Sequence, residues 1–122
     1  GEEGIGEVGR LGDGLRSLDL AENRLRGLPE SVGLLRGLVR LTASANRIEL
    51  LPDGLWDLHQ LQVLDLSHNE LCGVPARGLA RLSSLVRLDL GGNRLQALPE
   101  TLAALPQLQS LAAHSNRLRA LP

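Results

Sequence analysis

The sequence predicts an α/β solenoid: a right-handed stack of short repeats, with a parallel β-sheet on the concave side and short helical or 3-10 segments on the convex side. Three observations predict it. Asparagines at Asn23, Asn46, Asn69, Asn93 and Asn116 recur at spacings of 23, 23, 24 and 23 residues. Prolines Pro29, Pro52, Pro75, Pro99 and Pro122, and leucines Leu15, Leu38, Leu61, Leu85 and Leu108, keep the same spacings. Within each unit the apolar period changes from two to about three, as it does where a strand gives way to a helical segment.

Taken in order, residues 1–14 hold six glycines, yet Ile5, Val8 and Leu11 keep helical spacing. This opening reads as the degenerate convex half of a preceding repeat. Five repeats follow at 15–37, 38–60, 61–84, 85–107 and 108–122, the last truncated where its convex segment is due. Neither end carries the polar cap that solenoids need, so a fragment of a longer array is expected.

The third repeat illustrates the unit. Leu64-Asp65-Leu66-Ser67 alternates as a short strand with one buried face. Pro75, Leu79, Leu82 and Leu85 then follow helical spacing, with the proline at a start that tolerates its fixed φ and missing N–H. Glu30, Asp53 and Glu100 directly follow three of the prolines, placing negative charge at the positive end of a helix. One strand and one helical turn cannot bury their own leucines, so neighbouring units must stack. Alanine replaces leucine at Ala43 and Ala113 and thins the core there, with compensating shifts expected in place of voids.

Asparagine is a poor strand former and an uncommon core residue, so five copies in register need a cause. The chain must turn inward after each strand, which leaves buried backbone groups without partners. An amide supplies both a donor and an acceptor. The five asparagines are therefore expected to form a structural ladder between adjacent turns.

The units read Leu-x-x-Leu-x-Leu-x-x-Asn-x-Leu, as in "LDLSHNELCGVP" and "LDLAENRLRGLP". This motif is similar to the leucine-rich repeat signature over Leu15 to Pro122. The 23-residue period, the "LPE" and "LPD" continuations and the small residues of "LVRLTASAN" and "LQSLAAHSN" resemble the intracellular Ras-group subclass and its plant relatives. That resemblance implies a non-catalytic protein-binding module or scaffold in intracellular signalling or complex assembly. The alternatives are the targeting region of a larger enzyme, such as a kinase, GTPase or ubiquitin ligase, and a receptor ectodomain fragment.

Composition narrows the function classes. The formal net charge is −1, which gives no global field for nucleic acid or an acidic membrane. No apolar run is long enough to span a bilayer. All 13 basic residues are arginines, a usage that most simply reflects a GC-rich genome. Cys72 is the only cysteine and no Asn-x-Ser/Thr sequon occurs, which together favour a reducing, intracellular and cytoplasmic setting. The chain opens on Gly1, so prior removal of a targeting segment stays open.

Several apparent motifs carry no chemistry. Gly4, Gly6 and Gly9 form a G-x-G-x-x-G pattern, but no strand length precedes it and the chain has no lysine. His59, His68 and His114 lack metal-ligand spacing and read as solvated side chains. Cys72 lacks an adjacent basic residue and reads as a small, partly buried hydrophobe. No constellation of nucleophile, base and acid emerges. The expectation is no enzyme activity, no cofactor, no metal and no small-molecule substrate.

The informative residues are the outward positions of the strands. Three columns stack across the repeats: Ser17, Arg40, Val63, Arg87, Ser110; Asp19, Thr42, Asp65, Asp89, Ala112; and, beyond the asparagines, Arg24, Arg47, Glu70, Arg94, Arg117. The simpler reading pairs Arg40 and Arg87 diagonally with the aspartates and leaves an inert surface, since the face lacks aromatic anchors. The functional reading is a polar face matched to a charged protein partner, contacted by Arg40, Arg47, Asp65, His68, Arg87, Asp89 and Arg94. Trp56 is the counter-candidate on the convex side. It either projects as a contact or folds over the thinned core beside Ala43, and packing is favoured because solitary tryptophans are usually buried.

Overall fold

The computed structural model describes residues 14–118. Five strands, β1 (Ser17–Asp19), β2 (Arg40–Thr42), β3 (Val63–Asp65), β4 (Arg87–Asp89) and β5 (Ser110–Ala112), form one parallel sheet in sequence order. Each strand contributes the same three repeat positions, so Leu18, Leu41, Leu64, Leu88 and Leu111 stand in register. Backbone pairing runs on past these short strands. The Ala43 and Ala45 N–H groups donate to Asp65 O and Ser67 O at 2.8 and 3.0 Å, and those of Leu66 and His68 donate to Asp89 O and Gly91 O at 2.9 and 2.7 Å.

Parallel neighbours require crossover connections, and these form the convex side. Two are 3-10 helices, η1 (Glu30–Leu34) and η2 (Asp53–Asp57), and two are short α-helices, α1 (Ala76–Ala80) and α2 (Thr101–Ala104). Pro29, Pro52 and Pro75 precede the first three in extended conformation, with φ of −71°, −74° and −70°. Glu30 and Asp53 do fall in the first turns of η1 and η2, but neither caps its own helix. The Glu30 carboxylate instead accepts from the Asp53 and Gly54 N–H groups at 3.1 and 2.8 Å, joining the start of the next repeat's helix.

Glycine sets how closely the convex segments approach. A Cβ on Gly33 would lie 2.5 Å from Gly54 O, and one on Gly54 would lie 2.5 Å from Glu30 O, so η1 and η2 meet backbone to backbone. The next interface is built differently. Trp56 is 3% exposed, and its indole lies where a Cβ on Gly78 would come within 2.6 Å of the ring. The tryptophan is therefore packed, as favoured, and the residue it covers is Gly78 of the following repeat.

The core between sheet and convex segments is almost entirely leucine, with Val32, Ile48, Ala43 and Trp56 completing it. Ala43 is fully buried, so its neighbours close over the shorter side chain, while Ala113 is partly buried. The expected opening half-repeat with Ile5, Val8 and Leu11, the Gly4-Gly6-Gly9 pattern and Pro122 lie outside the described residues.

Candidate functional site

The turn that follows each strand is built around its asparagine. In the second repeat, Asn46 Oδ1 accepts from the Leu25 N–H at 3.0 Å, while Nδ2 donates to Leu20 O at 2.9 Å and Ala43 O at 3.1 Å. Asn69 bonds Ile48 N–H and Ala43 O, Asn93 bonds Leu71 N–H and Leu66 O, and Asn116 bonds Leu95 N–H and Leu90 O. Each amide thus reaches back to the backbone of the preceding repeat, and no amide bonds another. Among the described residues, Asn23 bonds its own turn, through Leu20 O and Ala21 O.

The residue before each asparagine is left-handed: Glu22, Ala45, His68, Gly92 and Ser115 have φ of 59°, 56°, 56°, 67° and 55°. Sequence reasoning missed this column. Four of the five are not glycine, although a Cβ there costs conformational energy. The asparagine bonds and the continuing backbone ladder over-determine the turn and hold these residues in place.

Directly before these turns lies the outward face of the sheet. One row runs Ser17, Arg40, Val63, Arg87, Ser110 in register, and the row two residues further along runs Asp19, Thr42, Asp65, Asp89, Ala112. Asp65 and Asp89 are therefore direct neighbours, about 4.8 Å apart at ordinary strand spacing, and Arg40 and Arg87 flank Val63. The diagonal Arg–Asp pairing expected of an inert surface does not form. Among the described residues the ion pairs are Arg81–Asp57 at 2.6 Å and Arg94–Glu70 at 2.8 Å.

The aspartates bond their own chain instead. Asp65 Oδ1 accepts from Ser67 N–H at 3.0 Å and from Ser67 Oγ at 2.6 Å, and Asp89 Oδ1 accepts from Gly91 N–H at 2.9 Å. Asp19 makes the same bond to Ala21 N–H at 2.9 Å. These local turns compete well with a long-range ion pair because they order few additional atoms. Each carboxylate is fixed in position by one oxygen.

The seven candidate contact residues thus fall into separate places. Arg40, Asp65, Arg87 and Asp89 share the strand face. Arg47 and Arg94 lie beyond the asparagines on a second rim, where Arg94 is tied to Glu70. His68 sits in the left-handed turn between them, its ring against Gly92, while His114 from the other side lies against Gly91. Cys72 is exposed, contrary to the expectation of partial burial, because it follows Leu71 where the chain leaves the core.

The convex side holds features that the sequence did not signal. An open cavity of about 370 Å³ is lined by Arg36, Asp57, His59, Gln60 and Arg81. A second, of about 360 Å³, adjoins it through Arg81 and includes Trp56, Arg77 and Gly78. Convex side chains outside the leucine frame obey no repeat, so no column announced them. Among the described residues no group of three or more His, Cys, Asp or Glu could hold a metal ion, and no helix is long and apolar enough to cross a membrane.

A leucine rich repeat family model matches residues 13–71 and 59–118. The chain belongs to the leucine-rich repeat family, whose members generally bind protein partners. It is 44% identical over 77 residues to podocan-like protein 1 of Mus musculus, covering 57% of this chain and 14% of that protein. It is 34% identical over 73 residues to plant intracellular Ras-group-related LRR protein 8 of Oryza sativa subsp. japonica, covering 57% and 19%. A solved leucine-rich repeat protein of Leptospira interrogans superposes with a TM-score of 0.90 at 36% identity, over 95% of this chain and 29% of that one. The chain spans less than a third of each of these proteins.

Proposed function

We propose that this chain is a non-catalytic protein-interaction module that engages its partner on the concave strand face, within intracellular signalling or complex assembly. One observation carries the reading. Arg40 and Arg87 are exposed on the sheet and take no carboxylate among the described residues, while Asp65 and Asp89 stand beside them with one oxygen each held by a turn. Unspent charge in a fixed array is suited to fixing the register of a charged partner. The intracellular part rests on the likeness to the Ras-group-related rice protein and on the unpaired, exposed thiol of Cys72.

The test compares partner capture by the native chain, by the double variant Arg87→Asp with Asp89→Arg, and by the convex variant Arg36→Asp, with captured proteins identified by mass spectrometry. The concave exchange should lose a partner that the convex variant keeps, with circular dichroism unchanged in both. Loss with the convex variant alone would move the site to the other face.

A further inference from the structure

Building on the concave-face reading, we infer that the face takes an extended, polyproline-II-like peptide segment that crosses the strands, with acidic residues three positions apart and a basic residue between them. The two rows on the sheet set this pattern. Arg40 pairs with Val63 and Val63 with Arg87, so the two arginines leave the sheet two strand steps apart. At about 4.8 Å per step their stems are separated by about 9.6 Å. A polyproline-II chain rises about 3.1 Å per residue and brings every third side chain to the same side, which gives a repeat of about 9.3 Å. A β-strand ligand would present its third residue on the opposite face, and a helix would advance only about 4.5 Å over the same three residues.

The second row sets the intervening residue. Asp65 and Asp89 lie two positions along their strands from the arginine row, a displacement of about 6.6 Å. In a polyproline-II segment the two residues between the acidic ones point away to either side, so one of them is directed toward this row. A lysine or arginine stem is long enough to reach it. Both aspartates keep Oδ1 in a turn bond, and neither Oδ2 has a hydrogen-bond partner among the described residues. The acceptors are therefore held in place before the ligand arrives, which lowers the ordering cost of binding. Val63 lies between the arginines, half-buried, and supplies the apolar floor under the centre of the segment.

The test uses the whole chain and fluorescein-labelled proline- and alanine-based peptides, read by fluorescence anisotropy at low salt. The probe carries two glutamates three residues apart with lysines between them. One control places the glutamates four apart, and a second exchanges glutamate and lysine throughout. The probe should bind up to about fivefold more tightly than the four-apart control, which loses one exposed ion pair of up to about 1 kcal/mol. It should exceed the exchanged control by at least that margin, since that control loses every pair. Arg40→Glu and Arg87→Glu should each remove that preference, and Arg36→Glu should leave it intact. Equal binding of the probe and the four-apart peptide overturns the inferred spacing, and equal binding of the exchanged peptide overturns the inferred charge order. If the spacing preference is absent while the Arg87–Asp89 exchange still abolishes partner capture, this inference falls and the concave-face reading stands. If that exchange leaves capture intact, both fall.

Discussion

Asn69 ties Ile48 and Ala43 into its own turn: its Oδ1 accepts from the Ile48 N–H at 3.0 Å, and its Nδ2 donates to Ala43 O at 3.0 Å. Both backbone groups belong to the preceding repeat, and Asn69 itself is 6% exposed. Asn69→Ala would strand the buried Ile48 N–H and leave Ala43 O with Asn46 Nδ2 as its remaining amide donor, at a cost of about 1–3 kcal/mol. Asn23 is exposed and, among the described residues, bonds its own turn, so Asn23→Ala should cost clearly less. Urea midpoints of the two variants provide the comparison, and equal midpoints would remove the cross-repeat bonds as the cause.

The left-handed column yields a prediction of opposite signs. Ala45 has φ 56° and is exposed, so Ala45→Gly relieves the left-handed penalty of about 1–2 kcal/mol against a smaller entropy loss. A net gain of about 0.5–1 kcal/mol is expected. Gly92→Ala should destabilise, since its φ is 67° and the new Cβ would lie 2.5 Å from His68 Nδ1. Adding His68→Ala to Gly92→Ala should recover only the steric part. Thermal melts of Ala45→Gly, Gly92→Ala, the double variant and His68→Ala alone separate the two contributions.

The repeat period, the parallel sheet and the leucine core were legible because each depends on residue types that recur in register. Asn46 and Asn69 could be placed at a buried turn on the same ground. The convex contacts were not legible, since they pair different repeat positions in neighbouring units. Gly33 meets Gly54, and Trp56 meets Gly78, with offsets that no single column displays. The charge pairing was misread for a related reason. Arg40 and Asp65 are diagonal neighbours in the register, yet Asp65 closes a local turn with Ser67, a choice decided by backbone geometry.

Trp56 and Gly78 should behave as a coupled pair. Gly78→Ala places a Cβ 2.6 Å from the indole, and the ring has little freedom because it is buried. Trp56→Ala alone should cost about 3–5 kcal/mol through the cavity it leaves. In that background Gly78→Ala no longer meets the ring, so its own penalty should shrink or reverse. A double-mutant cycle from denaturant unfolding measures this coupling. Additive effects would mean that the indole moves aside freely and that Gly78 is not required by it.

Arg87 and Arg94 offer the sharpest functional contrast, because both are exposed arginines of the fourth repeat. Arg94 is engaged with Glu70 at 2.8 Å, whereas Arg87 has no carboxylate partner among the described residues. Binding a ligand through Arg94 must first break or share that pair, which offsets part of any gain. Arg87→Ala should therefore weaken partner capture more than Arg94→Ala does. The exposed Arg94–Glu70 pair contributes only about 0–1 kcal/mol, so neither variant should lose much stability. Raising the salt concentration should narrow the difference in capture, since the interactions of exposed charges are screened. A greater loss from Arg94→Ala, with both proteins folded, would place the contact on the rim beyond the asparagines and leave the strand face without a role in binding.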